Sequence, residues 1–169
     1  MNIVLHEPEI PANTGNIGRS CVATGSRLHL IEPLGFKLTE YALKRSGMDY
    51  WPRLDYVRYI NYMDYVEKNP GVRVFYATTK AKRTYCDVEY RPDDHIMFGK
   101  ESHGIPEEIL VDNEEYCIRI PMLEREGVSP QTTPGPASDP ADPDAVWLNL
   151  SNAANIVMFE ALRQLGFRA

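Results

Sequence analysis

Short runs rich in Val, Ile and Tyr, separated by stretches that read as helices, constrain the fold of this chain more than any other feature. The runs are "NIVL" from Asn2, "LHLI" from Leu28, "YVRYI" from Tyr56, "VRVFYA" from Val72, "HIMF" from His95 and "YCIRI" from Tyr116. Strand and helix in alternation imply crossovers rather than hairpins. The expected class is therefore α/β, a mainly parallel sheet with helices on both faces. A chain of 169 residues can bury one sizeable core but is short for two, which predicts a single domain over 1–169.

Two helices stand out. The first is predicted from Asn13, an acceptable N-cap, to Thr24, with Gly25 placed for a left-handed C-cap. Gly15 and Gly18 fall in its first turns, each costing about 1 kcal/mol relative to alanine, so a helix or a ligand is expected against the backbone there. The second is marked by Leu150, Ala153, Ala154, Val157, Ala161, Leu162 and Leu165 at three- and four-residue intervals, closed by Gly166. Ile156 and Phe159 widen its apolar surface beyond one stripe, as at a subunit interface. Ahead of it, "LEREGVSPQTTPGPASDPADPDAV" carries five prolines and little that is apolar, predicting a long loop at about 123–146.

Composition excludes several classes. No run approaches the roughly 20 apolar residues of a membrane helix, and "NIVLHE" lacks the layout of a secretion signal, so a cytoplasmic protein with no membrane partner is expected. Cys21, Cys86 and Cys117 have no CxxC spacing, and His6, His29, His95 and His103 form no ligand pair. Neither a disulfide framework nor a metal site is predicted, and the cysteines are expected to be small buried groups. With 18 basic against 24 acidic residues, the net charge of −6 has the wrong sign for nucleic-acid binding by bulk charge. RNA binding would need a local patch, for which Lys80, Lys82 and Arg83, or Lys44, Arg45, Arg53 and Arg58, are candidates. Solvated surface charge accounts for them equally well.

The segment "FGKESHGIP", Phe98 to Pro106, has glycines around a charged stretch. It is no Walker loop, because Glu101 follows Gly99-Lys100, and no GxG fingerprint occurs in the chain. It is no nucleophile elbow either, since Ser102 lies three residues after Gly99; His103 is expected to face solvent. What remains is a strand, a glycine turn and Pro106 at a first helical position, with backbone groups at a carboxyl sheet edge that suit an adenine or a ribose.

"NTGNIGR" (Asn13 to Arg19), "FGKESHGIP" and "LNLSNA" (Leu148 to Ala153), with "IPM" at Ile120, resemble in order the three motifs of the SPOUT class of RNA 2'-O-methyltransferases. "NIVLHEPEIPANTGNIGR", "IEPLGF" and "EALRQLGF" narrow the resemblance to the family that methylates the ribose of the wobble nucleotide, position 34, in certain leucine tRNAs. The resemblance covers nearly the whole chain except the proline-rich segment. It implies a deep trefoil knot at the carboxyl end, S-adenosylmethionine held bent among the knot loops, and an obligate homodimer acting on tRNA.

By the same resemblance, Arg19 matches the arginine implicated in catalysis. Ala77, Thr78, Gly99, Glu101, Gly104, Ile120 and Leu148 match the cofactor loops, where the two glycines are expected to let backbone approach the adenosyl group. Asn13, Asn16, Asn152 and Phe159 are candidate substrate-binding positions. A sulfonium already carries its leaving group, so the protein must align the 2'-hydroxyl and ease loss of its proton. Arginine, with a pKa above about 12, is a poor base, so Arg19 is expected to bind a phosphate or the developing alkoxide.

The chain departs from its relatives twice. Val146-Trp147 and the long proline-rich segment stand where Arg-Ser is common, and Phe159 stands where a tyrosine is common. Other readings stay open: a knotted RNA binder without catalysis, a methyltransferase for another tRNA or rRNA site, or a small-molecule enzyme on a flavodoxin-like sheet.

Overall fold

A computed structural model describes residues 1–38, 49–122 and 148–167. Lys44, Arg45, the predicted loop at about 123–146 and the Val146-Trp147 pair lie outside the described residues. The elements in chain order are β1 (Asn2–His6), α1 (Pro11–Thr24), β2 (Arg27–Ile31), a 3-10 turn (Trp51–Arg53), β3 (Tyr56–Tyr59), α2 (Tyr62–Lys68) and β4 (Val74–Ala77). There follow β5 (Arg83–Thr84), β6 (His95–Phe98), α3 (Glu107–Asp112), a second 3-10 turn (Glu114–Tyr116), β7 (Cys117–Arg119) and α4 (Leu150–Gln164).

The strands form one sheet in the order β3-β2-β1-β6-β4-β7-β5, and every pairing is parallel. Each predicted run supplies a strand. The additional one, β5, is two hydrophilic residues at the sheet edge, recognisable only through its pairing with β7. Alternate side chains point to opposite faces. Ile3, Leu5, Leu30, Phe75, Ile96 and Ile118 pack with Ile17 and Cys21 of α1 and with Ala154, Val157 and Met158 of α4. Val4, Ile31, Tyr76 and Met97 pack instead with Tyr65 of α2 and with Ile109 and Leu110 of α3. Helices on both faces leave the central strands dry on both sides, which is why they read as continuous apolar runs.

Several boundaries differ from expectation. Helix α1 starts at Pro11 with Ile10 as N-cap, because proline suits the first position and the Asn13 side chain is engaged elsewhere. Pro106 is the N-cap of α3 rather than its first residue. Cys21 and Cys117 are buried as expected, but Cys86 is exposed beyond β5, its Sγ 3.1 Å from Thr84 Oγ1. The first 3-10 turn with its flanking residues packs against Gly18, and the Tyr50 hydroxyl reaches the Gly15 carbonyl. A Cβ on Gly18 would come within 3.1 Å of Leu54 Cδ2 and 3.3 Å of Trp51 Cζ3. No helix among the described residues is long and apolar enough to cross a membrane. Whether the chain is knotted depends on the path of residues 123–147, outside the described residues.

Candidate active site

Neighbouring β1 and β6 send the chain to opposite faces, into α1 and toward α3, so their carboxyl ends form the topological switch point where open α/β sheets bind ligands. Here the two loops that leave the switch point are laced together. Lys100 Nζ lies 2.9 Å from a carboxylate oxygen of Glu7. Glu9 accepts from the Ser102 amide at 2.9 Å and from its hydroxyl at 2.8 Å. Glu101 in return accepts from the amides of Glu9 (2.8 Å) and Ile10 (3.2 Å) and from Asn13 Nδ2 (2.9 Å). Asn149 Nδ2 then donates to Asn13 Oδ1 at 2.9 Å. One chain of hydrogen bonds, Asn149 to Asn13 to Glu101, thus joins the three sequence motifs. Glu7 sits at φ 51, a left-handed conformation unusual for a side chain of its size, held by the hydrogen bond its N–H donates to the Ile31 carbonyl and by Lys100.

The loop from Gly99 to Gly104 folds back on itself. Lys100 and Gly104 form an antiparallel bridge, with the Gly104 amide donating to the Lys100 carbonyl at 2.8 Å. A Cβ on Gly99 would fall on the backbone of Gly104 and Ile105. Closure of the loop on itself therefore demands glycine at this position. Gly104 differs: its φ is 70°, and nothing lies within 4 Å of where its Cβ would stand, so bare backbone faces open space there.

Ser102 and His103 form no nucleophile and base. Ser102 gives its single hydroxyl proton to Glu9, so His103 Nδ1, 2.7 Å from the same oxygen, must be the donor between them. His103 is exposed, as expected.

Strand register sets Leu5, Phe98, Ala77 and Ile118 side by side, so Thr78, Gly99 and Ile120 follow at one sheet edge. The Thr78 amide donates to the Ile118 carbonyl at 2.9 Å, and Ile120 packs partly against the core. Leu148, 37% exposed, precedes the Asn149 that is tied to Asn13. Backbone groups with apolar flanks from Ile120 and Leu148 suit a flat, uncharged heterocycle such as adenine. The Glu101 side chain holds the amino end of α1.

Arg19 stands on the exposed side of α1, its Cζ 4.5 Å from the Tyr50 ring centroid and its Nη2 4.0 Å from Asp49. Asn16, exposed one turn earlier, shares that helix face. Asn152 is exposed in the first turn of α4. Phe159 is not brought to the motifs by its own chain: it lies roughly 15 Å farther along α4 than Asn149, beside Phe167 at 6.3 Å between ring centroids. Of the candidate cations, Lys80 pairs with Glu107, Lys82 with Glu114 at 2.8 Å and Arg58 with Glu32 at 2.7 Å, which mutes their field. Glu9, Tyr50 and Asn149 were not predicted. Acids just before a helix in "EPE" and the asparagine in "LNL" were the legible signals for two of them.

A family model described as the SpoU rRNA Methylase family matches residues 1–129, and the chain belongs to that family. Within it, the tRNA (cytidine(34)-2'-O)-methyltransferase of Escherichia coli K12 is 42% identical to this chain over 168 residues, 99% of this chain and 95% of that protein. The tRNA (cytidine(34)-2'-O)-methyltransferase of Saccharophagus degradans is 41% identical over 171 residues, covering 98% and 96%. A solved structure described as giving insight into 2-OH methylation of C/U34 on tRNA matches with a TM-score of 0.81 at 36% identity, covering 99% of this chain and 97% of that chain. An AdoMet-bound rRNA methyltransferase from Sinorhizobium meliloti, at 24% identity, shares the fold with a TM-score of 0.74 over 97% of this chain and 56% of its own.

Proposed function

We propose that this chain transfers the methyl group of S-adenosylmethionine to the ribose 2'-hydroxyl of nucleotide 34 in tRNA, with leucine tRNAs as substrates. The observation that carries the reading is the hydrogen-bond chain through Asn149, Asn13 and Glu101, which ties the three motifs into one edge. Similarity along the full length to relatives bearing that activity supports it. Backbone of Ala77-Thr78, the loop around Gly104, Ile120 and Leu148 would hold the adenosyl group. When bound, the cofactor supplies a methyl group on a sulfonium, so its leaving group needs no proton. What this chain must add is alignment of the ribose and stabilisation of the oxygen as its proton departs. Arg19 binds the adjoining phosphate or the alkoxide, with phosphate or water taking the proton.

Mass spectrometry of tRNA from cells lacking the protein tests the assignment: an unmodified ribose at position 34 is expected, and an unchanged one moves the activity to another site. Arg19→Ala should lower kcat by about 100-fold or more while calorimetric affinity for S-adenosylmethionine stays unchanged. Near-normal turnover of Arg19→Lys, with unchanged RNA affinity, would show that the two-pronged geometry of the guanidinium is not used.

The working unit we propose is a homodimer of single domains over 1–169, each knotted at its carboxyl end, acting in the cytoplasm. Ile156, Phe159 and Phe167, 36%, 46% and 61% exposed, leave apolar surface on α4 and the segment after it that a second copy would cover. Such pairing would also bring Phe159 to the partner rather than to its own motifs. Sedimentation equilibrium should return twice the chain mass, and Phe159→Asp should shift it toward one.

A further inference from the structure

We propose that Arg119, at the carboxyl end of β7, binds a backbone phosphate of the RNA substrate at a site apart from the reacting ribose. The inference rests on the reading of tRNA as substrate given above. Arg119 Nε is sealed from solvent and has no acceptor, and the guanidinium makes no hydrogen bond or ion pair among the described residues. The residue as a whole is only half-buried, so a ligand can reach it. A buried N–H of a charged group without an acceptor is costly and rare, and a ligand that completes it removes the cost.

Strand alternation fixes where Arg119 points. Cys117 packs on the α2 and α3 side of the sheet and Ile118 on the α1 and α4 side, so Arg119 faces the α2 and α3 side. Register sets Thr78 and Thr84 beside it. Residues 78–82 connect β4 to β5 across β7 on that same side, since Ala81 packs with Cys117, Ile105 and Ile109. Ile120 packs on the opposite side, so Arg119 does not share a face with the apolar flank proposed for adenine. Asp87, on this edge, accepts from the Thr84 amide and hydroxyl instead of Arg119. The planar fork is thus left for an anion other than the cofactor's neighbours supply, and it matches phosphate with two parallel N–H bonds. Lys80 and Lys82 of the crossover pair with exposed Glu107 and Glu114, partners that phosphates can replace at little cost, and Arg83 is exposed beside them. Arg19 lies in the α1 layer, so the RNA spans the carboxyl edge of the sheet from one helical layer to the other.

The test uses the full-length protein and unmodified tRNA, with binding as the readout. Arg119→Gln should weaken tRNA binding about tenfold and lower the slope of log affinity against log salt by about one, with calorimetric affinity for S-adenosylmethionine unchanged. Arg119→Lys, which keeps the charge but not the fork, should restore the slope and only part of the affinity. The melting temperature of Arg119→Gln should equal or exceed the native one, because no folded-state partner is lost. Unchanged tRNA affinity and slope overturn the proposal. Loss of affinity for S-adenosylmethionine alone assigns the guanidinium to the cofactor carboxylate and overturns it too. A lower melting temperature with equal losses for both ligands marks a structural residue, again against the proposal. Because methyl transfer is not the readout, a target other than nucleotide 34 leaves the Arg119 result standing, whereas a native protein that binds no tRNA overturns both readings. Should Arg119→Gln not fold, nitrogen NMR of the native protein decides: the Arg119 Nε signal is expected to move on addition of tRNA, and a signal that stays in place overturns the contact.

Discussion

Glu101→Ala is expected to lower stability by about 3 kcal/mol and kcat/KM by about 100-fold. The Glu101 carboxylate takes hydrogen bonds from two backbone amides and one side-chain amide, all from the segment that begins α1. Bonds to an ionised acceptor are worth about 1.5–3 kcal/mol each, and truncation leaves the donors without a partner in a half-buried seam. For a chain of this length the loss corresponds to a fall in melting temperature of about 10 °C. Asn13 loses its acceptor and with it the reason to hold Asn149, so the start of α4 loosens from α1. A displacement of about 1 Å between the proposed cofactor loop and the proposed catalytic Arg19 is enough for a 100-fold loss of rate. Glu115→Ala, an exposed acid elsewhere, should change the melting temperature by less than about 2 °C. Equal melting temperatures for Glu101→Ala and Glu115→Ala would show that the seam carries no stability. A kcat/KM of Glu101→Ala within about threefold of the native value would show that it does not align the site.

Most strands and the last helix were legible because they depend on local composition: apolar runs of four to six residues, and small and apolar side chains at helical spacing. The strand order was not, since nothing within "HIMF" indicates that β6 inserts between β1 and β4. Strand β5 has no apolar pattern of its own and exists by pairing Thr84 with Arg119. The site divides in the same way. Glycines and the motif order could be read along the chain. The purpose of Gly15 and Gly18 could not, because Tyr50, Trp51 and Leu54 come from a segment with no visible link to α1. Asn13 shows how a local rule misleads: it reads as a helix cap, yet its amide bridges Glu101 and Asn149 and the helix begins without it. The Glu101 side chain, whose partners lie some 90 residues earlier in the chain, fastens the two switch-point loops. Glu7 and Glu9 read along the chain only as two more acids, yet both fasten the switch-point loops, Glu7 through Lys100 and Glu9 through the amide and hydroxyl of Ser102.

Acid should unfold this protein well before its carboxylates are titrated. His29 and His95, 3% and 4% exposed, lie on one face of β2 and β6 with ring centroids 4.5 Å apart. His29 Nε2 lies 3.2 Å from Asn2 Oδ1 and so carries the proton, leaving Nδ1 to accept from the Tyr59 hydroxyl at 2.8 Å. His95 Nδ1 lies 2.8 Å from the Tyr65 hydroxyl. Burial pushes His29 down to about 3, helped by positive charge on His95 and Arg27 against Asp55. Burial also pushes His95 down to about 4, helped by the amino terminus and Arg27 against Asp94 and Asp93. In the unfolded chain both titrate near 6.5. Between about pH 6.5 and 4.5 the unfolded state therefore binds protons that the folded state refuses, and stability falls as pH falls. Each ring contributes a slope approaching 1.4 kcal/mol per pH unit, so the pair removes about 4–5 kcal/mol by pH 4.5, comparable with the whole stability of many domains. Buried His6, also shifted down, acts in the same direction. Asp64, Glu114 and Glu160, whose pKa is lowered by hydrogen bonds to Lys68, Lys82 and Arg163, lose their stabilising effect only from the acid end of this window downward and do not account for the decline above it. Urea unfolding at intervals from pH 7.5 to 4.5 should show the decline, and His95→Gln should flatten it by up to about 1.4 kcal/mol per unit. An unchanged slope in that variant would mean that His95 takes up its proton in the folded state, and that the sheet tolerates a charge at its centre.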